Sequence, residues 1–320
     1  MRAMRVHEAG GRLRFDEVEA PAPGPGEVAL AVRACGVNFA DTLMVKGTYQ
    51  ETPPFPFAPG IEVCGVVTAL GQGVEGLAVG DRVAAMVGAG GFAEAAVARA
   101  ACCVKVPDAM PDAAAAALLV AHGTSHLALA RRARLKPGER LLVLGAGGGV
   151  GLTAVEIGAV MGAEVIAVAR GAEKQAAARA KGAAHVLDAD AATLRDAVRA
   201  LGGADVVYDA VGGELWKAAF RACNFEARLL PIGFASGEVP QIPANHLLVK
   251  NLDVIGLYWG AYYRHAPQAM AESLRAILAW WAEGRIAPVI AATLPLEDAE
   301  AALDLLRARK AAGKVVLATG

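Results

Sequence analysis

Cysteine is scarce in this chain, and the five present form no recognisable pattern. Cys35, Cys64, Cys102, Cys103 and Cys223 are odd in number and show no C-x-x-C spacing. That excludes a disulfide framework and a structural zinc site of ordinary spacing, and it suits reduced thiols in a cytoplasm. An excess of charge of either sign is also missing: 31 Lys and Arg face 32 Asp and Glu, for a net charge of −1. The chain therefore offers no electrostatic footprint for nucleic acid or an anionic membrane. The basic cluster Arg131, Arg132, Arg134 and Lys136 reads as a solvated helix end. Long apolar runs are lacking. The longest, AAAAALLVA from Ala113 to Ala121, has nine residues, about half of a membrane span. The first twenty residues carry charges throughout and no apolar signal core, so no export is expected. Internal repeats and low-complexity linkers are absent. At 320 residues the chain has room for two domains of a soluble enzyme.

What is present is most informative at LLVLGAGGGVG, residues 141 to 151. An apolar strand runs into a turn made almost wholly of glycine, the helix-like TAVEIGAVMGA follows, and a second strand, EVIAVA, comes next. Such a turn lets backbone N–H groups approach a pyrophosphate, and the helix N-terminus adds partial positive charge. The pattern is A-x-G-x-x-G, with Ala146 in the first glycine's place, then Gly148 and Gly151. Its strand–turn–helix–strand frame makes it far more specific than glycines alone.

Periodicity divides the chain into three stretches. Residues 1 to about 120 hold short β-like runs separated by Gly and Pro, which predicts a barrel-like β domain. From about 121 to 263, six apolar strand candidates (RLLVLG, AEVIAVA, AHVLD, ADVVYDAVG, ARLLPIG, LDVIGL) alternate with helices or crossover loops. That predicts a parallel sheet covered on both faces. The tail offers the helix MAESLRAILAWWAEG, the strand IAATLPL, a helix LEDAEAALDLLRARKAAG stopping at Gly313, and the strand KVVLAT. The tail is expected to return to the first domain, giving domains of 1–120 with 264–320 and of 121–263.

With both halves in hand, the chain resembles the zinc-free quinone oxidoreductase branch of the medium-chain dehydrogenase/reductase superfamily, the group that includes zeta-crystallin. The resemblance covers essentially the whole length. It is carried by RACGVNFADTLMVKGTY (33 to 49), PFAPGIEVCGVVTALG (56 to 71), GDRV (80 to 83), GGFAEAAVA (90 to 98), LKPGERLLVLGAGGGVG (135 to 151) and LLVKNLDVIGLYWGAY (247 to 262). It implies an α/β architecture: a GroES-like β-barrel catalytic domain plus a doubly wound Rossmann domain for the cofactor. It also implies a homodimer, formed by pairing the cofactor domain's edge strand across a two-fold axis.

Relative to zinc alcohol dehydrogenases, Asn38 stands where those enzymes carry a cysteine ligand. Ile61 stands in place of the histidine ligand, with Glu62 kept, and the cysteine-rich structural lobe is missing. Asn and Ile are not ordinary zinc ligands. Without a Lewis acid, hydride transfer requires an acceptor that is already electron-poor. The expected activity is therefore NADPH-dependent reduction of a quinone or enone.

NADPH is expected rather than NADH because the second strand of the cofactor domain ends in Ala169 and Arg170, with Lys174 four residues on. No carboxylate stands there for a ribose 2′-hydroxyl; Glu173 is the nearest acid. Relatives often carry a lysine at the place of Lys174, and many carry a tyrosine where this chain has Ala189. The alternative for Arg170 and Lys174 is a pair of solvated charges. Gly148, Gly149, Val150 and Gly151 are expected at the pyrophosphate. Val211, Gly212, Gly233, Phe234 and Ala235 belong at the carboxyl edge of the sheet, and Leu257 and Tyr258 beside the nicotinamide. Thr124 matches a position near the nicotinamide ribose. Glu156 and Ala159, where the family usually differs, read as helix-surface variation.

Asn38, Asp41 and Tyr49 match positions that line the active-site cleft in relatives. Asn38 is a hydrogen-bonding residue for ribose or substrate. Tyr49 is a stacking or proton-donating residue, with ordinary packing as its alternative. Asp41 is equally readable as a helix cap. Tyr258, Trp259, Tyr262 and Tyr263 are readable as a pocket wall or as a subunit interface, and Trp280 and Trp281 as packing residues. Two rival functions stay open: reduction of an alkenal or enoyl-thioester double bond, and a non-catalytic NADPH-binding structural or RNA-binding protein.

Overall fold

Eleven residues, EVALAVRACGV, make the longest strand of the first unit, which is built on it. The computed structural model describes residues 1–308, 311 and 313–319. Two units emerge: Met1–Gly123 with Gly260–Gly320, and Thr124–Trp259.

In the first unit, β1 (Arg2–Arg5) and β2 (Arg14–Glu17) form a hairpin. A larger sheet holds β3 (Glu27–Val37), β4 (Glu62–Leu70), β5 (Arg82–Met86), β6 (Ala95–Arg99) and β7 (Cys103–Lys105). Helix α1 (Phe39–Val45) follows β3, and α2 (Asp112–His126) follows β7. The inward side chains of β3, β4 and β5 meet in one apolar core with Met44, Phe57 and Phe92. Gly36 lies in β3 where any Cβ would strike the Ala116 carbonyl and the Glu62 carboxylate. A buried carboxylate is admitted there only because this residue has no side chain.

The second unit carries β8 (Arg140–Leu144), β9 (Glu164–Val168), β10 (His185–Leu187), β11 (Ala204–Asp209), β12 (Cys223–Pro231) and β13 (Asp253–Val254). All pairings are parallel, in the order β10-β9-β8-β11-β12-β13. The strand order reverses at β8 and β11, the switch point where open α/β sheets bind ligands. The connecting helices are α3 (Gly149–Val160), α4 (Ala172–Ala180), α5 (Ala191–Ala200), α6 (Gly213–Ala222) and α7 (Ala244–Lys250). Strand runs such as LLVL are apolar throughout because helices cover both faces. The sixth expected strand, LDVIGL, contributes only its two residues Asp253 and Val254 to the ladder.

The tail comprises α8 (Ala261–His265), α9 (Pro267–Ala282), β14 (Ile290–Pro295), α10 (Ala299–Arg307) and β15 (Lys314–Ala318). It completes the first sheet: β15 runs antiparallel to β3, and β14 parallel to β15. The expected last helix is shorter than its sequence pattern. It ends at Arg307, and residues 309, 310 and 312 of the expected helix lie outside the described residues. Gly313 is no helix stop. Its φ of +135° places the chain against the Val289 carbonyl, which then accepts the Lys314 N–H at 2.7 Å.

Helix α2 and its π-helical continuation span Asp112–Arg132. By length and composition these 21 residues could cross a membrane, but 67% of the apolar window is buried inside the protein. That burial marks a core helix.

Candidate functional site

The expected cofactor residues gather at the carboxyl edge of the second unit's sheet. After Leu144 the chain turns at Gly145 (φ +76°), and the Gly148 N–H closes the turn on the Gly145 carbonyl at 3.0 Å. Ala146 is buried, its N–H held by the Val168 carbonyl at 3.0 Å. Gly151 must be glycine, because a Cβ there would collide with the Gly145 carbonyl. Gly149 differs: a Cβ there would meet nothing within 4 Å, and at Gly148 only the Gly145 carbonyl, at 3.5 Å. Helix α3 begins at Gly149. The N–H groups of Gly149, Val150 and Gly151, in the first turn, therefore have no acceptor within the helix, and the space beside Gly149 is open. Unpaired N–H groups at a helix start are the kind of donors that receive a phosphate group.

Beneath the turn lies a hydroxyl network absent from the sequence reading. The Ser125 hydroxyl is 3.0 Å from the Tyr208 hydroxyl and 2.8 Å from Thr153 Oγ1. Ser125 and Thr153 also lie within hydrogen-bond reach of the Val150 carbonyl, at 3.1 and 2.9 Å. Thr124 is the sequence neighbour of Ser125 and is buried. The network ties the first turn of α3 to strand β11.

Arg170 is exposed at the end of β9, and Gly171 (φ +85°) starts α4. Lys174 is half-buried with its aliphatic stem against the glycine turn; a Cβ on Gly147 would meet Lys174 Cβ at 2.5 Å. The turn thus positions the stem of Lys174 directly. Glu156 corrects the sequence reading. It is buried rather than on the helix surface, and it pairs with Lys181 at 2.7 Å.

At the end of β11 the buried Asp209 accepts the N–H of Val211 at 2.7 Å and of Gly212 at 3.0 Å. Burial pushes its carboxyl up to about 6 despite those donors. Gly233, Phe234 and Ala235 follow β12, with Phe234 exposed, and Leu257 and Tyr258 lie half-buried beyond β13.

Asn38, Asp41 and Tyr49 belong to the first unit. Asn38 caps α1 and is 8% exposed. Its Nδ2 donates to Glu62 Oε1 at 2.8 Å and to the Gly36 carbonyl at 3.2 Å. Its Oδ1 accepts from Lys314 Nζ at 2.6 Å. Lys314 also donates to Glu62 Oε1 at 2.7 Å and to the Val37 carbonyl at 3.1 Å. Glu62 Oε2 takes the Val120 N–H at 2.8 Å. Both Asn38 amide protons are spent in this knot, so Oδ1 carries its remaining capacity, as an acceptor.

Asp41 is a helix-capping residue: its carboxylate accepts the Asn38 N–H at 2.7 Å and the Gly60 N–H at 3.0 Å. Complete burial raises it to about 7. Tyr49 is half-buried against the apolar core.

A zinc ion does not fit this donor set. Asn38 and Glu62 are bound to a buried ammonium, and Ile61 packs in the core. Among the described residues no group of three or more His, Cys, Asp or Glu could hold a metal ion.

Comparison with known proteins agrees with this architecture. Residues 24–108 match the alcohol dehydrogenase GroES-like domain, and residues 149–278 match the family described as zinc-binding dehydrogenase. The quinone oxidoreductase-like protein 2 homolog of Nematostella vectensis is 39% identical over 99% of this chain and 89% of its own. Among solved structures, a mycobacterial quinone oxidoreductase superposes with a TM-score of 0.91 at 33% identity, over 100% of both chains. The quinone oxidoreductase of Thermus thermophilus, solved also as its complex with NADPH, gives 0.88 at 34% identity, again over 100% of both.

Proposed function

The chain belongs to the quinone oxidoreductase-like branch of the medium-chain dehydrogenase/reductase superfamily, and from that premise we propose that it is a zinc-independent, NADPH-dependent reductase of quinones. One observation carries the reading: Lys314 Nζ, between Asn38 Oδ1 and Glu62 Oε1, fills the donor set that would otherwise face a metal. A site with an internally neutralised cation offers no Lewis acid to a simple ketone or alcohol, so its acceptor must already be electron-poor.

The residues suit NADPH. The open cradle at Gly148 and Gly149, with the first-turn N–H groups of α3, would hold the pyrophosphate. Arg170 and Lys174 would pair with the 2′-phosphate, Lys174 being held to the turn through Gly147. The NADPH complex of the Thermus relative supports the same choice. When bound, the reduced nicotinamide supplies a hydride. The chain's part is to hold that donor, keep the acceptor oriented and leave the product's oxygen to solvent or a side-chain proton.

The test is a substrate panel scored by NADPH oxidation, on protein stripped of metal by a chelator. Consumption with 1,4-benzoquinone, exceeding that with crotonyl thioesters, is the expected result. With NADP+ supplied in place of NADPH, reduction of that cofactor by ethanol or secondary alcohols faster than the quinone reaction would refute the proposal, and preference for the thioester would move it to double-bond reduction.

A further inference from the structure

Asp209 organises two loops at once. Its carboxylate accepts the Val211 and Gly212 N–H groups. Its backbone carbonyl accepts those of Ile232 at 2.7 Å and Gly233 at 3.2 Å. The side chain thus fixes the turn after β11 while the main chain fixes the loop after β12. The two loops are also tied directly, from the Ala235 N–H to the Ala210 carbonyl at 3.2 Å and from the Ser236 N–H to the Val211 carbonyl at 2.9 Å. Gly212 (φ +74°) admits this arrangement, because a Cβ there would meet the Glu238 carbonyl at 2.5 Å.

A buried carboxylate is expensive, and the N-terminus of α6 offsets only part of that cost. We propose that Asp209 is a positioning residue for the dinucleotide: its carboxyl holds the Val211–Gly212 turn, and its carbonyl the Gly233 loop, in the shape the cofactor meets, so that the order of the turn is coupled to the charge of that carboxyl. The inference rests on the reading that this edge binds NADPH.

The surroundings leave Asp209 as the titrating group. Its register partners, Leu144 of β8 and Pro231 of β12, are uncharged. Glu156 of α3 pairs with Lys181. Glu214 and Lys217 of α6 pair with each other at 2.6 Å, and Lys217 with Glu238 of the loop after β12 at 3.2 Å. Burial opposed by the two N–H groups puts the Asp209 carboxyl at about 6.

The test has two arms. In the first, calorimetry measures NADP+ affinity of wild type, Asp209→Asn and Asp209→Ala. Both variants should bind about tenfold more weakly or worse, with the loss in Kd and in KM for NADPH and little change in kcat at saturating cofactor. In the second, amide hydrogen exchange of cofactor-free wild type is compared at about pH 5 and about pH 7.5, corrected for intrinsic rates. Burial raises the carboxyl in the ordered turn to about 6 from an ordinary 3.8, so the ordered state keeps a proton that an opened, solvated one releases. Protection at Val211 and Gly212 should therefore be greater at the lower pH and fall at the higher one, while Leu142 to Leu144 keep theirs. Folded variants that bind NADP+ as wild type does would overturn the proposal, as would pH-independent protection at Val211 and Gly212. If neither variant folds, the exchange arm decides. Failure of wild type itself to bind NADP+ would count against the parent reading and leave the exchange result standing on its own.

Discussion

Lys314 Nζ lies 2.6 Å from Asn38 Oδ1, joining residues 276 positions apart in the chain. With Glu62 the pair makes a closed knot in which a buried cation meets a fully buried carboxylate. Removing one partner of such a pair costs more than replacing both. Lys314→Met should therefore lower unfolding free energy by about 3–5 kcal/mol, and adding Glu62→Gln should recover a substantial part. Urea unfolding of the single and double variants checks this; equal stabilities for the two would contradict it.

Gly149 and Gly151, close neighbours at the start of α3, should respond in opposite ways. Gly151→Ala drives a methyl group into the Gly145 carbonyl, so it should destabilise by about 1–3 kcal/mol. Gly149→Ala points into open space at a helix start. It should leave the melting temperature unchanged or slightly raised, yet weaken NADPH binding about tenfold or more by filling the cradle. Thermal melts beside fluorescence titration separate the two effects.

Asp41 imposes a pH dependence on stability. Burial raises its carboxyl to about 7 from an ordinary value of 3.8, so between those values the folded state holds a proton that the unfolded state has released. Its contribution is complete below about pH 4 and is lost as the pH rises through about 7, a change of a few kcal/mol. Unfolding free energies measured from about pH 4 to about pH 8 should show that decline in wild type. Asp41→Asn, which cannot ionise, should show a shallower one; parallel curves would count against the assignment.

Arg170→Ala with Lys174→Ala tests cofactor choice. Loss of two charge-assisted contacts to a 2′-phosphate should raise KM for NADPH about 10–100-fold and leave KM for NADH within about threefold. Steady-state kinetics with both cofactors decide it, and equal effects on the two would remove the 2′-phosphate role.

Much of this molecule was legible in its residues. Apolar runs such as LLVL and EVIAV, bounded by glycine and separated by helical periods, announce a parallel sheet because period and turn chemistry are local properties. The GAGGGVG turn announced its helix start for the same reason. The identities of Asn38 and Ile61 likewise bear on metal binding without coordinates.

What required tertiary structure was every relationship between distant positions. The role of Lys314 was hidden in KVVLA, where a lysine heading a strand looks solvated until Glu62, 252 residues away, is found against it. Glu156 looked like surface until Lys181 was seen to cover it. Gly313 looked like a helix stop until the Val289 carbonyl was found beside it. Local propensity is written in neighbouring residues, whereas the pairing of buried charge depends on which backbones the fold brings within about 3 Å, and no short pattern encodes that.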